Sequence, residues 1–178
     1  MTPGWAVWIT GLPASGKSTV ARRLAAEVEA MGIAVQILES DALRKVLTPR
    51  PSYTAEEREV FYNAMIHIGF LLASNGVNVV FDATAHRRRW RRRARETFPR
   101  FLEVFVDTPL ELCVERDPKG IYRRADEGKA ETVPGKQLAY EAPESPEVRV
   151  DGASPPERSV SAVLDAMRAH GFDLPFLA

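Results

Sequence analysis

Apolar residues fall into short blocks of strand length, separated by longer stretches with helical spacing. Residues 5–10 read as a buried strand, and residues 17–31 repeat apolar positions like an amphipathic helix that stops near Gly32. Residues 34–38 form a second strand-length run. Thr54 and Glu57 are spaced as a capping box, which predicts a long helix reaching Asn75 and Gly76. Residues 77–81 form another strand ending on Asp82, residues 86–98 look helical, and residues 101–106 form a further strand. Thr108 and Pro109 suit the cap and first position of a helix, as Ser154 and the prolines after it suit the start of a last helix stopping near Gly171. Residues 148–150 complete the strands. Alternating strands and helices predict an α/β fold with a parallel sheet covered on both faces. Between 117 and 146 the periodicity weakens, and a polar segment broken by Gly and Pro at this length suits a lid or binding loop.

Composition narrows the classes without choosing among them. The 178 residues suit one domain, taken as 1–178 with a lid at roughly 116–140. Lys plus Arg and Asp plus Glu both total 24, so bulk attraction to nucleic acid or membrane is not expected. Cys113 is the single cysteine, which rules out an internal disulfide and a cysteine zinc cluster. With no signal-like segment and no long apolar run, a cytoplasmic protein without membrane contact is the simplest reading.

The chemistry begins at residues 11–18, where Gly11, Gly16, Lys17 and Ser18 fill every fixed position of G-x-x-x-x-G-K-[ST]. Glycines allow a tight loop whose N–H groups, including those at Ala14 and Ser15, turn toward phosphate oxygens. Lysine neutralises the β and γ phosphates, and the serine hydroxyl reaches Mg²⁺. The alternative is a glycine-rich turn that binds nothing, but a strand before it and a helix after it are what phosphate binding requires. ATP and Mg²⁺ are therefore the expected cofactors.

Carboxylates supply the other half. Asp41 follows the second strand at the carboxyl end of the sheet, where it either accepts a proton from an acceptor hydroxyl, holds Mg²⁺ through water, or caps a helix. Asp82 stands where an acid supporting Mg²⁺ belongs, with helix capping as its alternative. Arg44 and Arg58 lie on segments that should border the acceptor; for Arg58 a solvated helix face is equally open. Seven arginines crowd residues 87–95 around Trp90. Successive helix residues rotate about the axis, so most must be solvated or paired, although Arg88 and Arg91 are candidates to reach the site. A nucleic-acid-binding helix with Trp90 as stacking group is the weaker reading. Arg116 and Lys119 sit at a basic hinge suited to closing a lid over phosphates.

From Phe105 through Asp107, Pro109, Arg116, Asp117, Lys119, Gly120 and Tyr122, the chain resembles the strand, helix and lid of adenylylsulfate kinases. The stretch from Tyr140 to Val148 resembles that family's segment after the lid. The resemblance implies a P-loop kinase three-layer sandwich with five parallel strands in the order 2-3-1-4-5. It also implies Mg-ATP as donor and the ribose 3′-hydroxyl of adenylylsulfate as acceptor; a homodimer is compatible with it. Gly11, Gly16, Lys17, Ser18 and Thr19 match on the donor side. Asp41 matches the second Asp of the family's Asp-Gly-Asp motif, Arg44 the arginine three residues on, and Arg58 an acceptor-binding arginine. Tyr53 stands for an aromatic that stacks on the acceptor's adenine.

The acceptor side departs from the family pattern. Glu39 and Ser40 replace the first Asp and the Gly; Phe61, Asn63 and Ala64 occupy an Asn/Arg region; Thr84, Ala85 and His86 replace Ile-Ser-Pro. Val133 and Gln137 fall where a second stacking aromatic is expected, and losing one stack costs on the order of 1–3 kcal/mol. The acceptor half also looks like broader P-loop kinases acting on other metabolites or polynucleotide 5′ ends. A regulatory ATP-binding module without transfer is the third alternative.

Overall fold

The computed structural model describes residues 2–175; Met1 and residues 176–178 of the expected 1–178 domain lie outside them. Five strands build one sheet: β1 (Ala6–Thr10), β2 (Val35–Glu39), β3 (Asn78–Asp82), β4 (Phe101–Asp107) and β5 (Val148–Asp151). Their order is β2-β3-β1-β4-β5, every pairing parallel, as expected. The near-continuous apolar strands are explained by cover on both faces. On one face α1 (Lys17–Ala30) and α7 (Pro156–Ala169) bury Val7, Ile9, Leu24, Val104 and Met167. On the other, α3 (Ala55–Ser74) and α4 (Arg88–Thr97) enclose Trp8, Phe61, Met65, Phe81 and Trp90. Each such side chain, fully buried, contributes roughly 1.5–3 kcal/mol.

Three shorter helices border the carboxyl edge of the sheet: α2 (Ser40–Leu47), α5 (Leu110–Arg116) and α6 (Ile121–Asp126). The last lies inside the segment expected to be irregular. Asp117 makes it possible, its carboxylate accepting from the N–H of Ile121 at 2.7 Å and of Arg123 at 3.0 Å. Cys113, Tyr122, Ala125 and Val133 form a small apolar cluster beneath it, and the Tyr122 hydroxyl donates to the Pro13 carbonyl at 3.0 Å. The segment is thus anchored to the phosphate loop by its own core.

Two caps differ from expectation. Thr108 does not cap α5; its hydroxyl donates to the Ser15 carbonyl at 2.8 Å, bracing the phosphate loop, and Pro109 takes the cap position. Ser154 does not cap α7 either, because its hydroxyl turns to Asp151 at 3.0 Å. Thr54 does cap α3, accepting from the Glu57 N–H at 3.2 Å. The Glu57 carboxylate reaches past Thr54 to the N–H groups of Ser52 at 2.5 Å and Tyr53 at 3.2 Å, fixing Tyr53 with φ of 54°.

Candidate active site

A cavity of about 880 Å³ opens at the carboxyl edge of the sheet, lined by the phosphate loop, Asp41, Asp82, Thr84, Arg116 and Lys119. Its floor is the turn between β1 and α1. Gly16 takes φ of 99°, a conformation that costs a side chain energy, and a Cβ on Gly11 would strike the Val106 carbonyl at 2.7 Å. Ala14 also has positive φ, at 61°. Strain of this kind persists where surroundings over-determine it, here through the Tyr122 and Thr108 contacts. The first turn of α1 carries no acid and no side-chain cap, so its N–H groups and positive dipole end are left for an anion.

Lys17 lies at the centre. Burial lowers its pKa, while the carboxylates of Asp82 and then Asp41 act against that shift. Its one hydrogen bond among the described residues is long, 3.5 Å to the Leu12 carbonyl. A half-buried ammonium so weakly satisfied suits an incoming phosphate. Asp82 is 2% exposed, and burial pushes its pKa up against the pull of Lys17 and a hydrogen bond from the Ser18 hydroxyl. One Asp82 oxygen has no partner among the described residues. The next helix starts only at Arg88, so Asp82 caps nothing.

Asp41 occupies the first turn of α2 without capping it, since Glu39 holds the cap position and no side chain bonds there. Its carboxylate pairs with Lys119 at 2.5 Å. Burial raises the Asp41 pKa, but the Lys119 bond and charge, joined by Lys17, outweigh it and hold Asp41 below its ordinary value. Asp41 is therefore ionised at neutral pH. Arg116 donates to the Gly152 carbonyl at 2.9 Å, tying the root of the 116–140 segment to the turn after β5.

Arg44 and Arg58 gather beside this cavity rather than in its lining. Both are buried, at 8% and 7% exposure, so Arg58 is not on a solvated face. The Arg44 guanidinium lies 3.8 Å from the Phe61 ring centroid, and Tyr53 sits 5.2 Å from Arg44 and 5.3 Å from Arg58. Arg58 donates to the carbonyls of Tyr53 at 3.0 Å and Thr132 at 2.9 Å, joining α3 to the 116–140 segment. Val133 is buried in the small cluster. Gln137 accepts from the Val133 N–H and donates to the Ala130 carbonyl, both at 3.0 Å. Neither offers an aromatic face.

The arginine helix resolves differently from its appearance. All seven arginines pair with acids: Arg87 with Glu141, Arg88 with Glu144, Arg89 and Arg93 with Glu59, Arg91 with Glu103, Arg92 with Glu96 and Arg95 with Glu147. Arg88 is held outside the cavity lining by Glu144 and the Ala142 carbonyl at 2.8 Å. Trp90 is 1% exposed, stacks on Tyr62 at 4.4 Å and donates to Glu59 at 2.8 Å, so it cannot stack on a nucleic-acid base.

His86 escaped the sequence reading as a buried group. It is 4% exposed, one ring nitrogen is unpartnered among the described residues, and burial with the charges of Arg58 and Arg87 lowers its pKa to about 4. Because the unfolded chain takes up this proton first, the stabilisation from neutral His86 is complete above about pH 6.5 and is lost as pH falls toward 4. Urea titrations should show wild type losing about 2 kcal/mol more than His86→Gln between pH 7 and pH 5. Equal losses would contradict this burial.

The family model for adenylylsulphate kinase matches residues 3–151. A probable adenylyl-sulfate kinase of Pyrococcus abyssi is 36% identical over 170 residues, covering 95% of this chain and 98% of the relative. The adenylyl-sulfate kinase of a Synechococcus strain is 35% identical over 95% of this chain and 97% of its own length. Among solved structures, the Mycobacterium tuberculosis APS kinase CysC in complex with AMPPNP and APS superposes with a TM-score of 0.89 at 31% identity, over 94% of this chain and 99% of that one. With the phosphate loop, sheet order and opposed Lys17–Asp82 and Lys119–Asp41 charges in place, these matches make the chain a member of the adenylylsulfate kinase family.

Proposed function

We propose that this enzyme transfers the γ-phosphoryl group of ATP to the ribose 3′-hydroxyl of adenylylsulfate. The observation that carries the chemistry is the meeting, in one cavity, of a half-buried lysine on a phosphate loop with an ionised aspartate on the facing helix. The triphosphate lies along the start of α1, where Gly11, Ala14, Ser15, Gly16 and Thr19 shape the loop and Lys17 neutralises charge. Asp41 accepts the proton of the acceptor hydroxyl as the oxygen bonds to the γ-phosphorus and the bond to the β-phosphate oxygen breaks, releasing ADP.

The residues fit a magnesium ion that arrives with the nucleotide. The described residues form no cluster of three or more metal-ligating side chains, but the free Asp82 oxygen beside the Ser18 hydroxyl suits an ion held mainly by phosphates and water. Ser18 would hold it and Asp82, with Asp41 through water, would support it; bound there, it supplies positive charge to the transferring group.

Lys119 and Arg116 belong to the 116–140 lid, which closes over the phosphates and keeps water from competing with the acceptor. Phosphate oxygens compete with Asp41 for Lys119, so ATP entry frees the base at the moment it is needed. On the acceptor side Arg44, Arg58 and Tyr53 receive the nucleotide. No described helix is long and apolar enough to cross a membrane. Phosphorus NMR of the product tests the acceptor: a new 3′-phosphomonoester on adenylylsulfate is expected. Phosphate found only on an added oligonucleotide 5′ end, or only as inorganic phosphate, would overturn the proposal.

A further inference from the structure

The turn after β3, residues 83–86, is bonded to its surroundings at every residue. The Ala83 carbonyl accepts from the Trp8 indole at 3.1 Å, and the Thr84 carbonyl from the Thr10 hydroxyl at 2.7 Å. The Ala85 N–H donates to the Tyr62 hydroxyl at 3.1 Å, and the His86 carbonyl accepts from the Glu141 N–H at 2.8 Å. Ala85 has φ of 38°, where a side chain is strained, so this turn would relax if its anchors were cut. Thr84 lines the nucleotide cavity, and His86 lies within electrostatic reach of Arg58. The turn thus spans donor and acceptor sides.

Arg91 is the anchor that joins the others. It is 1% exposed, and each of its three guanidinium nitrogens donates a hydrogen bond. Nε bonds Glu103 at 2.7 Å, one terminal nitrogen the Ala85 carbonyl and the other the Glu141 carbonyl at 2.5 Å. Its face lies 5.6 Å from the Tyr140 ring, whose hydroxyl meets Thr10 at 2.9 Å. Glu103 fixes the fork from β4, so strained turn, chain after the lid and sheet move as one body. Lysine keeps the charge but gathers its three N–H donors on one nitrogen, so it cannot span the three acceptors that the planar fork reaches from three separate nitrogens.

We propose that Arg91 is a positioning residue for phosphoryl transfer, holding the 83–86 turn, through Ala85 and Glu141, in the conformation that receives the acceptor. This explains one member of the arginine run by function, while its neighbours pair on the surface. The inference rests on the acceptor reading above. Arg91→Lys is expected to lower kcat/KM for adenylylsulfate about tenfold or more while leaving KM for ATP within about threefold, because a small misplacement of one reactant is costly. Tyr62→Phe, which removes only the hydroxyl holding the Ala85 N–H, should act in the same direction without endangering folding. Arg95→Lys perturbs the Glu103 that Arg91 also bonds, together with Glu147, without touching the turn, and should leave both kinetic constants unchanged.

Hydrogen exchange at the Ala85 amide gives a readout independent of any acceptor: its protection should fall in Arg91→Lys and Tyr62→Phe but not in Arg95→Lys. If neither Arg91→Lys nor Tyr62→Phe changes acceptor kcat/KM by more than about twofold, or if ATP and acceptor constants fall together, the positioning role is wrong. If wild type does not phosphorylate adenylylsulfate, the acceptor reading fails instead, and unchanged Ala85 exchange in Arg91→Lys would then remove the anchoring role too.

Discussion

Lys17→Ala is expected to lower kcat by a hundred- to thousandfold or more, roughly the loss seen when one preorganised charge donor is removed from a transition state. The side chain lines the cavity within electrostatic reach of Asp82 and Asp41, and no other described lysine shares its place at the start of α1. Loss of activity will not reflect unfolding. Among the described residues the Lys17 ammonium makes a single long bond, to Leu12 at 3.5 Å, so its removal costs little packing and relieves a half-buried charge. Thermal unfolding of the variant should stay within a few degrees of wild type. Asp82, already pushed upward by burial, loses the charge that opposes that shift and will take up a proton more readily. Activity within about tenfold of wild type would mean that the backbone amides alone carry the charge stabilisation.

Asp41→Asn is expected to reduce kcat by roughly a hundred- to ten-thousandfold, the usual contribution of a positioned general base. Asparagine retains the shape and a bond to Lys119 but cannot accept the proton. KM for ATP should change little, because the phosphate loop and Lys17 remain. The pH profile adds a check. In the free enzyme Lys119 and Lys17 hold the Asp41 pKa below its ordinary value, so wild-type kcat/KM for ATP should persist to lower pH than an unperturbed carboxylate would allow. Lys119→Met removes that support and should move the acid limb upward. A variant Asp41→Asn within about threefold of wild type would shift the proton's destination to water or phosphate.

The fold was legible because β1, β3 and β4 are apolar runs bounded by turn residues and the phosphate loop fixes the register of strand, loop and helix. The cavity's own residues were legible for the same reason: Lys17, Ser18, Asp41, Asp82, Arg116 and Lys119 all follow strand ends or a recognisable hinge, and all line one space. Contacts between distant segments were not. Nothing local marks Thr108 as a brace for Ser15 rather than a cap, because both uses need the same hydroxyl. The short α6 was hidden because Asp117 organises its first turn from several residues upstream. Arg88 and Arg91 look alike along the chain, yet three positions of helical rotation carry one to surface Glu144 and the other to buried Glu103. The substitutions at Val133 and Gln137 were visible. That they hold the lid's own turn was not, because it depends on which carbonyls the turn leaves free.

The most direct test of the central claim is ADP release from Mg-ATP, followed while adenylylsulfate is titrated into the wild-type enzyme. Saturable stimulation by adenylylsulfate, one ADP for each acceptor consumed, is the predicted result. ADP release at the same rate with and without adenylylsulfate would contradict it, leaving a phosphate loop that binds ATP in the service of another acceptor.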